Sequence, residues 1–245
     1  MDNLQSRNTD LNTLDFTTVT GENKLLRSAF AWMALAMVFT SVASLLFYFV
    51  PQLQSLLVEE TATQKRVTTL AYVVMFAPLI FVFLMGMAFR RLSYPALVGV
   101  FVAFSIVNGI SLSFIFHVYH IGSIVNVFLS TTALFAVMAI AGYTTKTDLT
   151  KLGSLLMIGL VGILIASLIN FFTHSAGLDY LISILGVIIF TGLTAYDVQK
   201  IKNIGIEAGD ASGLGKISIM AALTLYLDFI NLFLFLLRLF GGKKD

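Results

Sequence analysis

The sequence contains no cysteine among its 245 residues, which excludes disulfides, thiolate catalysis and cysteine-ligated metal sites. Charge is also scarce: Asp, Glu, Lys and Arg make up 11% of the chain, less than half the roughly 25% of an ordinary soluble domain. The charges nearly cancel, at a formal +2. Basic residues fall between apolar runs rather than in one cluster, so a nucleic-acid-binding face is excluded. There is no GxxxxGKS/T loop and no second domain, so ATP-driven transport has no support. Hydrophobic residues take the remaining space, 58% of the chain with 22 phenylalanines, and the mean hydropathy is +0.93. That balance belongs to an integral membrane protein.

A helix needs roughly 20 apolar residues to cross about 30 Å of hydrocarbon. The sequence predicts seven such spans, at about 30–50, 70–89, 96–116, 124–143, 152–172, 180–200 and 217–240, in an all-α bundle forming one domain from 29 to 242. Backbone groups in lipid must bond within their own segment, and these runs are too long and too weakly alternating for barrel strands. Residues 1–28 are polar and lack the apolar core and cleavage site of a secretory signal, so a flexible tail before an uncleaved anchor is expected; 243–245 form a short C-terminal tail. Pro51 follows the first span, Pro95 opens the third, and Gly241 and Gly242 follow the last, in keeping with helix-end chemistry. Pro78 falls inside the second span and is expected to bend it. Gly99, Ala103, Gly109, Gly159, Gly162, Gly186 and Gly192 are expected to let helices approach closely.

Positive charge sets orientation. With the N-terminus inside, the cytoplasmic segments hold Arg7, Lys24, Arg27, Arg90, Arg91, Lys146, Lys151, Lys200, Lys202 and Lys216. The outer segments hold Lys65, Arg66, Arg238, Lys243 and Lys244. Ten against five favours N-in and C-out. The basic C-terminus dissents, and a last helix that dips in and returns would account for it.

The segment ALTLYLDFINLFLFLLRLF, residues 222–240, contains one carboxylate in a stretch otherwise suited to hydrocarbon. Asp228 falls about 16 Å into the last span at 1.5 Å per residue, close to mid-membrane. An ionisable group there faces the bundle interior and marks an ion or proton path, or else stands as a protonated helix-to-helix hydrogen bond. Asp197, at the inner end of the sixth span, is either its partner or a solvated interfacial residue beside Lys200 and Lys202. If the two meet, repulsion in a poor dielectric makes them share a proton and titrate as a unit. Such a pair binds a hard cation when deprotonated and locks two helices together when singly protonated. Arg90 and Arg91 either anchor the second span or pair with Asp197 in one state. Asn231, Asn108 and Asn170 either line an aqueous path or join helices. His117, His120 and His174 fall at outer helix ends, where interfacial placement explains them without a metal. No serine lies beside a buried histidine, and no span carries the deep lysine of a retinal pigment, so an enzyme or a photoreceptor is not expected.

TGLTAYDVQKIK, residues 191–202, and LYLDFINLFLFLLRLFG, residues 225–241, together resemble the Bax inhibitor-1 family of transmembrane Bax-inhibitor-motif proteins, particularly its bacterial members. The resemblance implies a bundle with the last helix central and a passive, pH-sensitive calcium leak. It places the family's two aspartates on Asp197 and Asp228, as pH sensor, ion gate and transient calcium ligands, and its latching arginine on Arg90, with Arg91 as the alternative. Some bacterial relatives carry a glutamate in the second helix; here MFAPLIF, residues 75–81, has Pro78 and Leu79 and no acid. The expectation is therefore a calcium leak channel or transporter of the bacterial inner membrane, with Ca²⁺ as permeant ion, H⁺ as regulator and no cofactor. Two other functions share these features. One is a non-conducting regulator that binds other membrane proteins, in proteolytic quality control or cell-death suppression. The other is a proton-coupled exporter of a small solute.

Overall fold

The computed structural model describes residues 2–61, 64–89, 91–208 and 213–244, with side chains from Lys24 onward except those of 60, 61, 64, 65 and 88. In chain order the elements are α1 (Asp2–Phe49), α2 (Pro51–Gln54), β1 (Val58–Thr61), β2 (Gln64–Val67), α3 (Thr69–Ala88), α4 (Tyr94–Leu112), α5 (Ile115–Val118), α6 (Ile121–Thr144), α7 (Thr150–Thr173), α8 (Ala176–Ala208) and α9 (Leu214–Phe240). Seven stretches are long and apolar enough to cross a membrane: Lys24–Phe49, Thr69–Met87, Tyr94–Val118, Ile121–Thr144, Thr150–Thr173, Ala176–Ala208 and Leu214–Phe240. The protein is an all-α membrane protein, and each predicted span has its helix. The helix of α1 continues back through the polar residues before Lys24, α3 runs through Pro78, and α4 starts on Tyr94 with Pro95 in its first turn and Ser93 as its N-cap.

The chain divides into two compact units. One joins α1 up to Ala31 with Val127–Phe240. Within it α8 packs against both α7 and α9. Phe128 and Phe135 of α6 meet Phe229 of α9 edge-on at 5.4 and 5.5 Å, and Phe190 of α8 stacks on Phe235 of α9 at 5.8 Å. The most apolar stretches of α9 and α8 are 61% and 56% buried, against 11% for α3 and α7. α3 and α7 are thus the most exposed of the spans, and α8 and α9 the most buried. Arg238 near the end of α9 reaches Asp179 in the first turn of α8 at 3.2 Å, both side chains about 40% exposed. Solvent screening limits such a pair, so Asp179→Asn is expected to cost no more than about 1 kcal/mol in thermal unfolding.

The other unit comprises Trp32–Asn126 and Gly241–Asp245. Thr40 of α1 donates its hydroxyl to the Ser105 carbonyl of α4 at 2.9 Å, and Gly109 one turn further on lies directly against the Thr40 backbone. Between the first and second spans lies a hairpin that hydropathy does not foresee. β1 and β2 pair antiparallel from Val58↔Val67 to Thr61↔Gln64, with Glu59 opposite Arg66. The C-terminal residues return to this unit. The His120 amide donates to the Gly242 carbonyl (3.0 Å), the Lys244 amide to the Val118 carbonyl (2.9 Å), and the Lys244 ammonium to the Phe116 carbonyl (2.8 Å) and the Tyr48 hydroxyl (3.2 Å). α9 is unbroken from Leu214 to Phe240, so the helix itself neither dips nor returns. Lys244 is committed to the Phe116 carbonyl and, at 5.5 Å, to the Tyr48 ring.

Candidate functional site

The site forms where α8 and α9 pack together. On α8, Leu193, Thr194, Ala195, Asp197, Val198 and Gln199 are buried while Lys200 is exposed, so the helix presents Asp197 inward near its polar end. On α9, Asp228 sits between the fully enclosed Tyr226 and the buried Phe229. Asp197 is 9% exposed and Asp228 4%, which makes them a buried pair rather than an interfacial one. The two carboxyl groups face each other within hydrogen-bonding reach, and Oδ2 of Asp228 is enclosed without an N–H or O–H donor. Two carboxylates bond to one another only through a proton, and a pair that holds one titrates as a unit. Lys200, three residues further along α8, is exposed, with its ammonium 5.8 Å from the Tyr196 ring. Among the described residues no third His, Cys, Asp or Glu completes a metal-binding cluster.

The other residues singled out by the sequence are dispersed. Asn231, one turn beyond Asp228, donates its amide to the Leu227 carbonyl at 2.8 Å and is satisfied within its own helix. Asn170 closes the end of α7, its Oδ1 accepting from the Ser175 amide (3.0 Å) and the Thr173 hydroxyl (3.3 Å). Asn108 is buried in α4. Arg90 lies outside the described residues; Arg91, just past α3, is exposed. α3 contains no acid. His117 meets Gln54 at 3.0 Å, and His174 ends α7 in a left-handed conformation (φ 48°).

Two features that fix α8 beside Asp197 are not apparent in the sequence. The first is the close approach of neighbouring helices: a Cβ on Gly142 of α6 would fall on the Ala195 carbonyl, and one on Gly153 of α7 would fall 2.5 Å from the Tyr196 ring. Gly159, Gly186 and Gly192 make similar approaches, to Ile189, Phe235 and Leu156, whereas Gly99 and Gly162 face open space. The second is Gln199, 8% exposed, which binds the α6–α7 connection with both ends of its amide. It accepts from the Leu149 amide and donates to the Thr147 carbonyl, each at 2.8 Å. Lys202 adds a bond to the Tyr143 carbonyl at 3.0 Å. Replacing Gln199 by Leu leaves a donor and an acceptor without their partner, so a loss of about 1–3 kcal/mol is expected in thermal unfolding. Hydrogen exchange at Leu149 should rise with it.

Asp148 in the same connection accepts from the Thr150 hydroxyl and amide, which hold its carboxyl below the usual range. A group depressed in the folded state contributes its stabilisation above its unfolded pKa and loses it as pH falls through the folded one. Asp148 therefore stays ionised from pH 5 to 8, and a transition in that window does not come from it.

The comparisons with known proteins agree with this architecture. The model of the family described as "Inhibitor of apoptosis-promoting Bax1" matches residues 22–245. The "Inner membrane protein YbhL" of Escherichia coli K12 is 40% identical over 226 residues, covering 91% of this chain and 94% of the relative. "Uncharacterized protein RP147" of Rickettsia prowazekii is 37% identical over 225 residues, 92% of each. A protein of Borreliella burgdorferi is 50% identical over 159 residues, 64% of this chain and 68% of the relative. With the family model matching residues 22–245 and two of these relatives covered over more than nine-tenths of their length, the chain belongs to the Bax inhibitor-1 family.

Proposed function

We propose that the protein is a calcium leak channel or transporter of a bacterial inner membrane, gated by a proton shared between Asp197 and Asp228. The observation that carries this reading is the pair itself: two facing carboxyls, 9% and 4% exposed, on the two most deeply buried spans, with one oxygen lacking any donor. A packing role calls for one protonated Asp and an acceptor; a second acid in the same place adds a site whose charge depends on pH. With the proton in place α8 and α9 are bonded together. Once it leaves, two negative charges repel and the same oxygens attract a hard cation. Two carboxylates offer at most four oxygens, fewer than the six to eight of a resident calcium site. They suit an ion in transit that keeps part of its water. With no acid on α3, the cation selectivity of the path rests on this pair. The inner-membrane location follows the name of the Escherichia coli relative, and the charge distribution favours a cytoplasmic N-terminus and an external C-terminus.

The deciding test is calcium uptake into dye-loaded proteoliposomes across about pH 5 to 8. A protein-dependent flux with a titratable midpoint is expected. Correctly folded protein that is calcium-tight at every pH overturns the reading and leaves the pair as a helix-locking device in a non-conducting regulator.

A further inference from the structure

Near its polar end α8 is held along the stripe that faces away from α9. Asp197 and Gln199 are two residues apart, about 200° round the helix at 3.6 residues per turn, so when Asp197 faces α9 Gln199 faces the other way. Ala195, Gln199 and Lys202 share that far stripe at helical spacing, and all three meet one segment, residues 142–149. Gly142 comes up against the Ala195 carbonyl, the Gln199 amide joins the Thr147 carbonyl and the Leu149 amide at 2.8 Å each, and the Lys202 ammonium reaches the Tyr143 carbonyl at 3.0 Å. Tyr196, between the two stripes, abuts Gly153 at the start of α7. These contacts lie on both sides of Asp197 along the helix, so they fix its rotation and its height together.

The middle of the segment is at the surface. Thr144, Lys146, Thr147 and Asp148 are exposed, yet the backbone from Thr147 to Leu149 carries both bonds to a side chain that is 8% exposed. Asp148 sets that backbone by accepting from the Thr150 amide at 2.9 Å and from its hydroxyl. A buried amide satisfied at both ends specifies one geometry, where apolar packing would tolerate several. A hydrogen bond weakens steeply as it bends or lengthens, so a small turn of α8 alters the bond between the carboxyls while the helices stay packed.

We propose that Gln199 is a positioning residue for the carboxyl pair, and that the exposed α6–α7 connection is the lever that adjusts how Asp197 meets Asp228. The inference rests on the proton proposed between the two acids and does not depend on calcium conduction.

Infrared spectra at the acidic end of the flux assay test it, read on the protonated-carboxyl band that is lost in the double variant of Asp197→Asn and Asp228→Asn. Gln199→Leu should shift and broaden that band. Asp148→Ala should do the same, although it touches neither acid, because it frees the connection. Asp148→Asn, whose amide oxygen accepts the same Thr150 bonds, should keep the band at its wild-type position. Ile163→Val is the control: it trims a buried side chain of α7 in the same unit, so it should lower the unfolding temperature and leave the band in place. If Gln199→Leu does not fold, the contrast between the two Asp148 variants decides. An unmoved band in Gln199→Leu and Asp148→Ala, or an equal shift in Asp148→Asn or Ile163→Val, overturns the lever. A wild type without the band overturns the shared proton and the lever with it, whereas a calcium-tight protein whose band moves as described supports the lever and overturns only the leak.

Discussion

Asp228→Asn is expected to flatten the pH response of the proposed calcium flux in proteoliposomes without unfolding the protein. The amide fits the same space and donates to Asp197 at every pH, replacing a removable proton with a permanent donor. The ratio of two protonation states changes about tenfold for each pH unit beyond a midpoint. A wild-type flux that varies by roughly that factor between pH 8 and pH 5 should therefore vary less than about twofold in the variant. Asp197→Asn should behave in the same way. The double variant should resemble either single one rather than add to it, because a pair sharing one proton acts as a unit. Normal pH dependence in both single variants, with normal folding, would assign the gating proton to another group. Asp228→Leu is a different case: it leaves Asp197 buried without the partner that satisfies it, and about 3–5 kcal/mol of stability should be lost.

Gly142→Leu is expected to prevent the bundle from assembling. Even the first carbon of a side chain at 142 would fall on the Ala195 carbonyl, and a backbone group cannot rotate away as a side-chain tip does. Gly142→Ala should cost about 1–3 kcal/mol, the range for overpacking a filled interior, by pushing α6 off α8 two residues from Asp197. Gly162→Ala supplies the control. Nothing lies within 4 Å of a Cβ there, and alanine is the better helix former by about 1 kcal/mol, so stability should hold or rise slightly. Unfolding temperatures of the three variants in one detergent test the contrast; similar losses at 142 and 162 would refute it.

The seven spans were legible because hydrocarbon imposes one crude rule on every residue of a span, and seven runs satisfy it. Other features depend on what lies opposite. Gly142 and Gly153 look no different in sequence from Gly99 and Gly162, yet only the first two meet another helix, since a glycine's role is set by its partner. Gln199 reads as one polar residue among several at the end of the sixth span; its two bonds reach residues about 50 positions earlier, beyond any local pattern. The hairpin of β1 and β2 is too short and too charged to register beside the apolar runs. Asp228 was conspicuous by composition, whereas Asp197 needed the family motif, because a carboxylate beside lysines at a helix end has an ordinary explanation. Asn170 and Asn231 show the reverse: polar residues in apolar runs that serve their own helices.

The bond from Thr40 to the Ser105 carbonyl also has a bearing on how the protein is made. Its partners are 65 residues apart in the chain. At about 5–20 residues per second of synthesis, the first span waits roughly 3 to 13 seconds in the membrane before the helix that accepts this bond has been translated. During that interval the Thr40 hydroxyl lacks this acceptor, so the bond that ties α1 to α4 closes only after α4 has been made.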